Sequence, residues 1–186
     1  MWQRRAAGAF LLLGFLSLPT WGWSQRAAAD QQPRISLGAI PLLAGDTADI
    51  PLLLSVPETS KIGSLTGTIG FPKKLVSFTK AVVGLAGEQS QAEINTKTAD
   101  GSGPDLSTLE ITITSKGPMK AGVLAYLKFK VSPDARKGVI TLKLLDVKGT
   151  NESGGPVQIA KGKDGDIGVY NTTEEMPIVG CFFFSH

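Results

Sequence analysis

Few residues in this 186-residue chain could do chemistry, and their positions limit what they can do. The one histidine is His186, the last residue, and the one cysteine is Cys181. A serine or cysteine nucleophile needs an imidazole held beside it inside the fold, which a terminal histidine does not supply. A zinc site takes about three or four protein ligands, beyond what one His and one Cys provide. A single cysteine also excludes a disulfide within one molecule. Asp46-Thr47-Ala48 shares part of the Asp-Thr-Gly turn of aspartic proteases. That chemistry needs two carboxylates sharing one proton. Here Ala48 replaces the glycine and no second copy occurs, so a turn ahead of a strand accounts for Asp46. Asp164-Gly165-Asp166 offers two carboxylates where calcium takes about six to eight oxygens, and it reads as a hairpin turn. Glu174 and Glu175 are adjacent, so on an extended chain their carboxyls point apart and cannot flank one glycosidic bond. The sequence therefore predicts a protein that is not an enzyme, with no catalytic residue, no metal ligands and no cofactor.

Charge and composition narrow the partner. The nominal charge is +3, but removing residues 1–24 takes away Arg4 and Arg5 and leaves 17 basic against 16 acidic side chains, or +1. A nucleic-acid binder would show a basic face, so none is expected as partner. With Met1–Arg5 positive, Ala6–Leu18 apolar, and Pro19–Ser24 breaking the run with small residues, the start reads as a secretory signal peptide over residues 1–24, with an alternative cut after residue 29. Its apolar stretch of 13 residues is too short for an ordinary membrane-spanning helix. The expectation is an exported chain (secreted, periplasmic or at the cell surface) with no membrane span after cleavage. All three tryptophans, Trp2, Trp21 and Trp23, lie in this leader.

The elements that would position any site are strands. From Pro33 onward, apolar and polar residues alternate in short segments separated by turn residues. The segments are Ile35–Ile40, Thr47–Ser55, Ile62–Phe71, Leu75–Val83, Ala92–Lys97, Leu109–Thr114, Gly122–Val131, Val139–Val147 and Asp166–Tyr170. Leu109-Glu-Ile-Thr-Ile-Thr114 alternates strictly, and in Gly122–Val131 the residues Leu127, Phe129 and Val131 face one way. No segment holds a helical period over three turns. Nine such strands predict an all-β chain, a nine-stranded antiparallel β-sandwich with jelly-roll topology. Asn171–His186 forms a separate tail whose end, Val179–Phe184, is apolar.

Four blocks in order carry a family resemblance: Ala44–Leu54 (AGDTADIPLLL), Ile62–Val76 (IGSLTGTIGFPKKLV), Ala121–Val131 (AGVLAYLKFKV) and Lys163–Val169 (KDGDIGV). Together they resemble the cohesin domain over about residues 34–170. The corner Phe71-Pro72-Lys73-Lys74-Leu75 departs from the family pattern by lacking an acidic residue before the proline. The resemblance implies a non-catalytic module that receives a dockerin, itself calcium-dependent, in polysaccharide degradation. It also implies that the third, fifth, sixth and eighth strands share the docking face. Alternation then points Thr66 and Thr68 outward on the third strand, Glu110, Thr112 and Thr114 on the sixth, and Thr141, Lys143 and Leu145 on the eighth. Thr66 falls where cohesins often carry a polar contact residue. Outward threonines are also what strand propensity alone selects.

Two other readings stay open from the residues. A carbohydrate-binding module of related fold would bind polysaccharide, usually through exposed aromatic rings. Phe71, Phe78 and Phe129 occupy inward positions, leaving Tyr126 and Tyr170 to face solvent. The third reading is an adaptor of the envelope or secretion apparatus. Cys181 and the Phe182–Phe184 run have no assigned role, and Asn151-Glu-Ser153 and Asn171-Thr-Thr173 fit the N-glycosylation tripeptide.

Overall fold

The computed structural model describes residues 32–57 and 60–177. The expected signal peptide over residues 1–24 and the Val179–Phe184 end, with Cys181, lie outside the described residues. Within them the chain forms β1 (Arg34–Leu37), β2 (Ala39–Leu43), β3 (Thr47–Ser55), β4 (Ile62–Pro72) and β5 (Val76–Val83). A short helix α1 (Leu85–Gln89) precedes β6 (Glu93–Asp100), β7 (Leu106–Thr114), β8 (Gly122–Val131) and β9 (Gly138–Asn151). The two-residue strands β10 (Pro156–Val157) and β11 (Ala160–Lys161), then β12 (Gly165–Tyr170) and a 3-10 turn at Thr173–Glu175, complete it.

These strands build a sandwich. One sheet runs β11-β1-β3-β8-β5, the other β2-β12-β9-β4-β7-β6, with β10 added on β9. Pairing is antiparallel except where β1 meets β11 and β2 meets β12, both parallel. The first and last strands of the domain are thereby hydrogen-bonded to each other in both sheets. Twelve strands replace the expected nine for local reasons. The run Ile35–Ile40 divides at Gly38, where the chain passes from one sheet to the other. Gly38 lies against the Pro51 ring, where any Cβ would collide, and its N–H donates to the Pro51 carbonyl at 2.9 Å.

The period-two alternation becomes burial. On β3 the residues Ala48, Ile50, Leu52 and Leu54 face inward, and on β8 so do Leu127, Phe129 and Val131. Across from them lie Leu65, Ile69 and Phe71 of β4, Leu109, Ile111 and Ile113 of β7, Ile140, Leu142 and Leu144 of β9, and Ile167 and Val169 of β12. The core is aliphatic apart from one aromatic group at the β4–β5 end. Phe129 meets Phe71 edge-on at 5.3 Å between centroids and Phe78 at 5.5 Å. Such edge-to-face pairs add to what area burial alone supplies. The one buried polar side chain among the described residues, Ser90 after α1, is satisfied: its hydroxyl donates to the Ala86 carbonyl at 2.7 Å and accepts the Lys120 N–H at 3.0 Å.

Phe129 is fully buried and joins strands of both sheets through its two ring contacts. Phe129→Ala should cost about 3–5 kcal/mol of folding stability, read as a lower midpoint in urea unfolding. A loss below about 1 kcal/mol would show that the aromatic group is not part of what holds the sheets together.

Candidate protein-docking face

The strands expected to share one face do lie side by side. The third, fifth, sixth and eighth segments of the sequence are β4, β6, β7 and β9, and they run β9-β4-β7-β6 in the larger sheet. Their register fixes which side chains are neighbours. Thr66 stands opposite Thr112 on β7 and Lys148 on β9. Thr68 stands opposite Glu110 and Asp146, Ser64 opposite Thr114, and Gly70 opposite Lys143. On the outer strand, Asn95 pairs with Thr112 and Lys97 with Glu110.

Thr66 and Thr112 are half-buried on this outer side, with hydroxyl oxygens 3.3 Å apart. Thr68 beside them is also half-buried, while Glu110 and Thr114 are exposed. Along β4 the face is therefore uncharged: Ser64, Thr66, Thr68 and Gly70. Charges border it on both flanks, with Lys143, Asp146 and Lys148 on β9 and Glu110 with Lys97 beyond it on the other side. Thr141 belongs less to this group. It pairs with Asp166 of β12, and its hydroxyl donates to the Asp166 carboxylate at 2.9 Å.

Sequence reasoning missed Asp146 and Lys148. Strict alternation along Val139–Val147 turns Asp146 inward, but the β4–β9 ladder slips by one residue. Ile69 pairs with Leu144 and Thr68 with Asp146, so Leu145 is an extra residue in β9. Beyond it, Asp146 and Lys148 point outward and Val147 is half-buried. The adjacent pair Leu144-Leu145 was the available signal, because two consecutive leucines break a period of two.

Other candidate groups have structural partners. Asp164 and Asp166 do not form a hairpin turn, since the chain crosses there from β11 in one sheet to β12 in the other. The Asp164 carboxylate accepts the Leu144 N–H at 2.8 Å. Among the described residues no group of three or more His, Cys, Asp or Glu side chains could hold a metal ion. Asp46 sits in the turn between β2 and β3, where its N–H donates to the Leu43 carbonyl at 3.2 Å. Glu175 accepts from Lys137 at 3.0 Å, and that bond holds its carboxyl below the ordinary glutamate range. Tyr126 and Tyr170, the rings able to meet solvent, lie on different sheets, so they do not form one stacking platform. No described helix is long and apolar enough to cross a membrane.

This architecture is that of cohesin domains. A non-cellulosomal cohesin from the hyperthermophilic archaeon Archaeoglobus fulgidus superposes with a TM-score of 0.60 at 17% identity, covering 77% of this chain and 94% of that one. The cohesin of an OlpA cohesin–dockerin complex from Clostridium thermocellum gives 0.63 at 14% identity, covering 75% and 100%. The seventh ScaB type I cohesin of Pseudobacteroides cellulosolvens gives 0.57 at 15% identity, covering 81% and 97%. No family model and no curated protein matches the sequence. What is shared is a fold, carried by patterning more than by residue identity.

The face also makes an electrostatic prediction. Lys148 Nζ lies 3.1 Å from the Asp146 carboxylate, and this hydrogen bond holds Asp146 below the usual aspartate range. A depressed carboxyl contributes through its ionised form, so the pair is present at neutral pH and is lost as pH falls through the lowered midpoint. Lys148→Met should raise the Asp146 midpoint in a carboxyl-detected NMR titration. An unmoved midpoint would show that the pair does not persist in solution.

Proposed function

We propose that the chain is an exported, non-catalytic binding module that docks a protein of dockerin kind, itself calcium-dependent, on the β9-β4-β7-β6 face. The observation that carries this reading is the uncharged strip along β4, flanked by charges of both signs. Interface centres are depleted in charged residues while their rims are polar, which is the order found here. Thr66, Thr68 and Thr112 supply hydroxyls that donate or accept, and Glu110, Thr114, Lys143 and Leu145 border them. Binding would proceed by surface complementarity, with no cofactor and no bond made or broken. The solved cohesin from Clostridium thermocellum, and one from Acetivibrio cellulolyticus, were crystallised with dockerins, which supports a partner of that kind. A role in polysaccharide degradation follows from the same resemblance and belongs to the proposal.

The test uses the mature chain as bait against the secreted and envelope fractions of the source organism, with and without EDTA. The expected result is capture of a protein carrying paired calcium loops, lost on chelation. Calcium-independent capture, or none, would overturn the dockerin role. Retention on insoluble polysaccharide would then favour a carbohydrate-binding module, and failure of both an adaptor role. Within the proposed reading, Thr112→Arg places a bulky charge in the middle of the face and should weaken capture by about tenfold or more at unchanged thermal stability.

A further inference from the structure

We infer that Leu145 is the apolar anchor of this docking face and that Asp164 and Lys161, which lie outside the face, hold it in position; the inference rests on the docking reading above. Leu145 is the extra residue of a β-bulge, opposite no residue of β4. A bulge takes backbone groups off the ladder, and those groups need other partners. Here two side chains supply them. The Leu144 N–H donates to the Asp164 carboxylate at 2.8 Å, and the Leu145 carbonyl accepts from Lys161 Nζ at 3.1 Å. Lys161 ends β11 and Asp164 lies just before β12, so the stretch that crosses between the sheets clamps the bulge from its far side.

The consequence is that two consecutive residues, Leu145 and Asp146, both stand on the outer side, where regular alternation would turn Asp146 inward. Leu144 is buried in the core, while Leu145 is 46% exposed in mid-sheet. Its side chain lies over Gly70, where a Cβ would come within 3.2 Å of Leu145 Cδ1. The glycine thus leaves a seat for the leucine. Every other outward residue from Thr141 to Lys148 on β9 is polar or charged: Thr141, Lys143, Asp146 and Lys148. Val139 and Leu106, the other exposed large apolar residues of these strands, sit at strand starts and not in mid-sheet. A packed apolar side chain ringed by Thr68, Lys143 and Asp146 has the arrangement of an interface hot spot inside a polar border. The partner it fits offers a shallow aliphatic hollow, with an acidic group toward Lys143 and a basic group toward Asp146.

The experiment measures binding of the mature chain to immobilised, calcium-loaded dockerin-type modules of the source organism. Leu145→Ala should weaken binding by about tenfold or more. Asp164→Ala should do the same, whereas Asp164→Asn, whose amide oxygen still accepts the Leu144 N–H, should stay within about threefold of wild type. Val139→Ala should be neutral. In the free protein, Asp164→Ala should speed Leu144 amide exchange by about tenfold or more and remove the NMR contact between the Leu145 methyls and the Gly70 α-protons, and Asp164→Asn should do neither. If wild type binds but Leu145→Ala and Asp164→Ala bind equally well, the anchor is overturned and the docking reading stands. If Asp164→Asn behaves as Asp164→Ala, or if Leu144 exchange is unchanged in both, the positioning role is overturned. If no module binds wild type, the docking reading fails and the anchor fails with it.

Discussion

The structure depends on one constraint: each long strand must bury one row of apolar side chains against the opposite sheet while leaving the other row in water. β4, which pairs with β7 on one side and β9 on the other, shows both rows at work. Its inner row of Leu65, Gly67, Ile69 and Phe71 meets the core, and its outer row of Ser64, Thr66, Thr68 and Gly70 becomes the middle of the face. Hydrophobic burial is non-directional and alone would tolerate sliding, but a slip of one residue would exchange these two rows. Core and docking face are therefore two results of one register.

The bulge at Leu145 shows how that register can be altered at one point without losing the core. Beyond it the outward set changes from Thr141 and Lys143 to Asp146 and Lys148, and the inward set resumes at Val147. A change of this kind persists only if the displaced backbone groups are satisfied, and Asp164 and Lys161 do that from the crossing between sheets. The two carboxylates of Asp164 and Asp166, which look in the sequence like half of a calcium loop, are both bound to β9 by hydrogen bonds. Their chemistry is that of acceptors for a strand.

At 14–17% identity to the solved cohesins described above, little of the fold similarity can lie in particular side chains. It lies in the backbone path, which superposes with TM-scores of 0.57–0.63. This agrees with the blocks that carried the resemblance, which were turn-and-strand patterns and not single residues. The corner at Phe71–Leu75 illustrates the point. It lacks the acidic residue before the proline, yet the turn forms, with the Leu75 N–H on the Pro72 carbonyl at 3.0 Å and Lys73 and Lys74 paired to Asp100 and Asp105.

What the sequence determined by itself was the class of fold and most of the inward and outward assignments. Leu65, Ile69, Phe71, Leu127, Phe129 and Val131 are buried as their alternation requires, because a pleated strand presents successive side chains to opposite faces. The near absence of histidine and cysteine was equally legible, since residue counts need no geometry. Tertiary structure alone decided the rest. The division at Gly38 depends on contact with Pro51, and the parallel pairing of β1 with β11 and β2 with β12 joins segments more than a hundred residues apart. Leu145 faces outward as alternation requires, but the bulge that also turns Asp146 and Lys148 outward is held by side chains of Asp164 and Lys161, about twenty residues further along the chain. Periodicity is a local property and can be read from neighbours in sequence. A partner for a freed N–H or carbonyl comes from wherever the fold brings a side chain, and that is set only when the sheets have closed on each other.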